Sequence, residues 1–67
     1  MFEIGTRVVK TRDLCGDPVK KGDEGIIQST LMIAAPDLYQ YTVFWDGLQR
    51  ETRVFGKYID EISVGVL

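Results

Sequence analysis

Histidine is absent from this 67-residue chain, and cysteine occurs once. The first absence removes the commonest general base, the commonest metal ligand and the usual sensor of physiological pH. The second leaves Cys15 with no intrachain partner, so no disulfide can staple the core and a reducing compartment is expected. Long hydrophobic runs are missing too. The longest uncharged stretch that is mainly apolar, residues 26–36, is interrupted by Gln28, Ser29 and Thr30. It falls well short of the ~20 residues of a membrane-spanning helix. The opening MFEIG has neither a basic segment nor a long apolar one, so no signal peptide is expected and the cytoplasm is the expected location. Positive charge is not in excess: eight Lys and Arg face ten Asp and Glu, for a net charge of −2. A protein that binds nucleic acid chiefly through phosphates normally has the opposite balance.

Hydrophobic residues make up 45% and charged residues 27%, which suits a globular chain and is too apolar for a disordered one. A chain of this length forms one domain, residues 1–67, and buries only about 60% of its unfolded surface. Its core is therefore small.

The clearest pattern is YQYTVFWDGLQRETRV, residues 39–54. Tyr39, Tyr41, Val43 and Trp45 alternate with Gln40, Thr42 and Phe44, which is the period of a strand with one buried face. Asp46-Gly47 follows at once and predicts a tight hairpin turn. Leu48, Thr52 and Val54 then recur at even spacing. The segment reads as a β-hairpin with an aromatic inner face, and Phe44, of opposite parity, is expected outside.

Upstream, residues 5–10 (GTRVVK) predict a first strand with Val8 facing inward and Arg7 and Val9 facing away. Residues 11–23 (TRDLCGDPVKKGD) carry two Gly, one Pro and three Asp and form a loop, anchored by Leu14 and Val19. Gly22-Asp23-Glu24-Gly25 predicts a turn into a second strand at Ile26, and residues 31–38 hold the end of that strand and then the loop that returns to Tyr39. Residues 55–60 (FGKYID) suit a single 3-10 turn. Residues 61–67 (EISVGVL), with Ile62 and Val64 alternating, predict the last strand. Five short strands with one 3-10 turn before the last describe an all-β protein, a small bent barrel whose closure hides its strand edges.

Three segments carry a family resemblance. Gly5-Thr6-Arg7-Val8-Val9, Gly22-Asp23-Glu24-Gly25-Ile26-Ile27 and Tyr41-Thr42-Val43-Phe44-Trp45-Asp46-Gly47 resemble a recurring pattern of Src-homology-3-like (SH3-like) modules. In that pattern a G-x-x-V strand leads to a G-x-x-G-x-V turn and strand, and a V-x-W/F-D-G hairpin follows. Such segments occur in KOW-type ribosome and transcription modules and in the Mind-bomb/HERC-type domain. They also occur in electron-transport accessory barrels such as the peripheral E subunit of photosystem I and the variable chain of ferredoxin–thioredoxin reductase. Residues 52–60 (TRVFGKYID) are most similar to the Mind-bomb/HERC-type ending. The resemblance implies a five-stranded SH3-like barrel, and it implies fold rather than function, since one fold hosts many functions.

No residue set points to catalysis. Cys15 lies among Asp13, Gly16 and Asp17, and with no histidine in the chain to activate it as a nucleophile it reads as an incidental thiol. Asp13, Asp17, Asp23 and Glu24 offer four oxygen donors, but not at the D-x-[DN]-x-[DN]-G spacing of a calcium loop. With Arg12, Lys20 and Lys21 interspersed, they read as a solvated charged loop. Lys20-Lys21-Gly22-Asp23-Glu24-Gly25 is not a phosphate loop, because its glycines open a strand rather than a helix. No cofactor or metal is expected.

Three surfaces remain as candidates. Arg7, Lys10, Lys20 and Lys21 could form a local basic patch, the one feature that favours a KOW-type nucleic-acid or ribosome-binding module. The aromatics Tyr39, Tyr41, Phe44, Trp45, Phe55 and Tyr58 could cage a methylated amine, with Asp46 or Asp60 completing the cage, or most of them could simply fill the barrel. Leu31, Met32 and Ile33, with Phe44, offer an apolar surface of the kind that marks a protein interface. Residues 31–36 could protrude, fold back to cap the barrel, or pair across a homodimer. The leading expectation is a non-catalytic accessory module, monomer or homodimer, that docks on a larger protein. Nucleic-acid binding is the alternative, and no membrane is involved.

Overall fold

The computed structural model describes residues 2–34 and 38–62. Its elements run β1 (Arg7–Lys10), β2 (Glu24–Ala34), β3 (Leu38–Trp45), β4 (Arg50–Phe55), a 3-10 turn (Gly56–Tyr58) and β5 (Ile59–Glu61). The expected all-β class holds, with five strands and one 3-10 turn before the last among the described residues. All pairings are antiparallel, in the ladder order β4-β3-β2-β1-β5. The expected closed barrel takes a more limited form. Among the described residues β4 and β5 are the two ends of one ladder, so edges remain. No helix among the described residues is long and apolar enough to cross a membrane.

Alternation decides the inner face. Tyr41, Val43 and Trp45 of β3 are buried, as are Val8 of β1, Ile27 of β2, Val54 of β4 and Ile59 of β5. Val19 reaches the same cluster from the loop between β1 and β2, while its expected companion Leu14 is only half-buried. Trp45 is fully enclosed, and its indole N–H donates to Thr52 Oγ1 at 2.7 Å, so the one polar atom of the ring is not stranded. Phe2 was not legible as a core residue. It packs against Tyr41 at 5.4 Å between ring centroids, and its backbone N–H donates to the Tyr41 hydroxyl at 2.9 Å.

Gly25 does not belong to the turn in which its sequence context places it. The turn closes at Gly22, with φ of +95°, and Gly25 sits inside β2 between Val8 of β1 and Trp45 of β3. A β-carbon there would lie 2.5 Å from the Phe44 carbonyl oxygen and 2.7 Å from Val43 Cγ1. The strands approach too closely at that point for any side chain.

Two further boundaries differ from expectation. The hairpin loop is four residues, Asp46 to Gln49, because Trp45 pairs with Arg50. The residue at positive φ is Gln49, at +54°, rather than Gly47. Gln49 N–H donates to the Trp45 carbonyl at 2.8 Å, and this wider loop lets Leu48 pack against the core instead of continuing a strand. The last strand begins earlier than the 61–67 segment. β5 starts at Ile59, whose side chain takes the buried position opposite Lys10. Ile62 follows β5 and donates its N–H to the Arg7 carbonyl at 2.9 Å, and the expected alternation through Val64 lies outside the described residues.

Candidate docking surface

β2 is eleven residues long and β1 only four, so the two cannot pair throughout. β1 meets β2 only from Glu24 to Ile26, with Ile27 tied on through Thr6 and Gly5. β2 continues alongside β3 as an overhanging ribbon, with Leu31 opposite Gln40 and Met32 opposite Tyr39. Register shifts between Ile27 and Ser29 and between Met32 and Ala34 mark bulges, which bend the ribbon and change which face each later side chain occupies.

The bulge after Ile27 divides the apolar residues between the two faces. Leu31 pairs with Gln40, whose parity is that of Thr42 and Phe44, so Leu31 shares the outer face with Phe44. Met32 pairs with Tyr39 and shares the face of Tyr41 and the core. Leu31 is 56% exposed, Met32 55% and Ile33 47%. These residues therefore do not cap the core. Phe44 is half-buried on the outer face, as its parity predicts, between Ile26 of β2 and Glu51 of β4. Leu38, across the tip, adds a further exposed large side chain that the sequence reading did not single out. Its signal was its place in the same apolar segment.

The basic patch does not assemble as expected. Lys10 has the inward parity of Val8 and is 1% exposed, so it cannot meet a phosphate. Its ammonium donates to Asp17 Oδ2 at 2.9 Å and to the Val19 carbonyl at 3.3 Å. Arg7 is on the outer face, but its guanidinium spans Asp46 at 2.6 Å and Glu24 at 3.2 Å. Those two carboxylates, Asp46 foremost, raise the guanidinium above its ordinary pKa. Lys20 and Lys21 alone remain exposed, and their backbone N–H groups are held by Asp23 and Asp13. The same bonds occupy Asp13 and Asp23, whose oxygens accept backbone N–H groups at turns, while Asp17 accepts from Val19 and Lys10 and Glu24 from Arg7.

An aromatic cage is not formed either. Tyr41 and Trp45 are core side chains, and Tyr39 and Tyr58 pack against that core. Asp46, one proposed cage acid, is committed to Arg7, and Asp60 is exposed on β5. Tyr58 instead has its own chain's Lys57 ammonium 5.2 Å from its ring centre. Cys15 is exposed in the loop. Searches of family models, curated proteins and solved structures find no match to this chain.

Proposed function

We propose that this chain is a small, non-catalytic docking module that binds a larger protein through Leu31, Met32 and Ile33 at the tip of the β2–β3 ribbon, with Phe44 on the outer face extending the contact. The observation that carries this reading is the exposure of three consecutive large apolar side chains on a strand that runs past its neighbour. Adjacent exposed apolar groups of this kind gain by being covered, and a partner surface can cover them. The position of Leu31 on the Phe44 face gives the contact direction along the sheet. Capture of the partner from the native host by the tagged chain, with identification by mass spectrometry, tests the reading. Met32→Asp and Phe44→Ala should each abolish capture while the folded state persists; retained capture in both would remove the proposal.

A further inference from the structure

Asp46 and Gly47 open the loop between β3 and β4, and the chemistry they share is covalent. Where glycine follows aspartate, no β-carbon hinders the glycine nitrogen from reaching the side-chain carboxyl carbon, and the two can close a five-membered ring. Asp46-Gly47 is the one such step in the chain. Asp13, Asp17, Asp23, Asp37 and Asp60 are followed by Leu, Pro, Glu, Leu and Glu, and no asparagine occurs. Both Asp46 and Gly47 are exposed, and a β-carbon built on Gly47 would meet nothing. The Gly47 N–H has no acceptor among the described residues.

Two contacts hold the atoms that would react. Arg7 Nη2 grips Asp46 Oδ2 at 2.6 Å and so fixes the carboxyl group. Gln49 Nε2 donates to the Asp46 carbonyl at 2.6 Å. That carbonyl and the Gly47 nitrogen share one rigid peptide plane, so the same bond restrains the attacking atom. The Asp46 N–H is tied in turn to the Glu24 carbonyl at 2.9 Å.

We propose that Asp46-Gly47 is a site of spontaneous isomerisation to isoaspartate, and that Arg7 and Gln49 are the contacts that slow it in the folded chain. The Gly47 nitrogen bonds to Asp46 Cγ, and the carboxyl hydroxyl leaves with the amide hydrogen as water. Water then adds to the Asp46 backbone carbonyl carbon, and the bond from that carbon to the Gly47 nitrogen breaks. The chain now runs through Cγ, and the former backbone carbonyl carbon carries the carboxylate. One water leaves and one enters, so the mass returns to its starting value. The product has one more backbone atom between Trp45, in the core, and Leu48, packed against it. Its carboxylate is no longer on the carbon that Arg7 holds.

Prolonged warm incubation of the purified full chain tests this, with digestion, chromatographic separation of the peptide that holds Asp46, and fragmentation to locate isoaspartate. In urea the wild type should accumulate isoaspartate at Asp46 faster than it does when folded. Folded Arg7→Gln and folded Gln49→Met should each accumulate it about threefold faster than the folded wild type, the scale of one exposed ion pair or hydrogen bond. In urea, where neither contact exists, both should match the wild type. Asp17→Asn, in the distant loop, should raise the folded rate less than either. Emission from the buried Trp45 reports that each variant is folded. A wild type with no isoaspartate at Asp46 in urea overturns the proposal, and so does one that converts equally fast folded and unfolded. A folded rate unchanged in both Arg7→Gln and Gln49→Met overturns it as well. A rise in Asp17→Asn as large as theirs would place the reaction in transiently unfolded molecules and remove Arg7 and Gln49 as its restraint.

Discussion

The Lys10 ammonium lies 2.9 Å from Asp17 Oδ2 with its side chain wholly enclosed, while Asp17 keeps 23% of its side chain in contact with solvent. The pair joins the end of β1 to the middle of the long loop that follows. Asp17 also accepts the Val19 N–H at 2.9 Å, and Val19 in turn is a core residue whose carbonyl accepts from Lys10. Backbone bonds from Lys10 N–H to the Asp23 carbonyl and from Gly22 N–H to the Lys10 carbonyl close the other end of the loop. A segment with little apolar content is thereby ordered around one buried cation.

Breaking this pair from its acidic side should be costly. Asp17→Ala leaves the ammonium buried without its counter-charge and is expected to destabilise the fold by about 3 kcal/mol. Lys10→Met fills similar volume without a charge and should cost clearly less, because the remaining carboxylate can turn to water. Urea unfolding of the two variants, followed by Trp45 emission, measures the difference. Equal losses would mean that the pair acts only through packing.

The same pair sets a response to acid. Burial pushes the Asp17 carboxyl up, but the Lys10 hydrogen bond, the Val19 N–H and the charges of Lys10 and Lys20 outweigh it and hold the group below its ordinary value of 3.8. A carboxyl lowered in the folded state contributes stability that is complete above its unfolded pKa and is lost as pH falls through the folded one. Stability should therefore decline below about pH 4 in the wild type. The decline should be shallower in Asp17→Asn over the same range. Unfolding midpoints measured from pH 6 down to pH 2 decide it, and parallel curves would remove Asp17 as the cause.

At Gly25 the prediction is steric. Alanine there brings its β-carbon to 2.5 Å from a backbone oxygen, which no side-chain rotation relieves. Gly25→Ala should cost about 1–3 kcal/mol, in the range of an overpacked core. The control Gly47→Ala, with open space around its β-carbon position, should fall within about 0.5 kcal/mol of wild type. Denaturant midpoints of the two variants give the comparison.

The strand content, the inward rings of β3, the burial of Val8 and the outward parity of Phe44 were readable from residue spacing, because a side chain's face follows from its position in an extended chain, and Val19 was readable as an apolar residue in a polar loop. Alternation was less informative where the chain departs from regular pairing. The bulge after Ile27 moved Leu31 onto the Phe44 face, and the four-residue loop drew Leu48 back to the core. Lys10 was the largest misreading. Its inward parity was visible, but lysine is so seldom buried that its charge suggested the surface, and only the fold brings Asp17 and the Val19 carbonyl to its ammonium.

Period and turn chemistry thus determined that the described residues form five antiparallel strands with the rings of Tyr41 and Trp45 inside. Only the tertiary structure decided which charges are free, because Arg7, Glu24 and Asp46 come from three separate segments. It alone also showed that β2 outruns β1 and exposes its apolar tip: the length of a strand's neighbour is set by where the chain turns elsewhere, not by the strand's own residues.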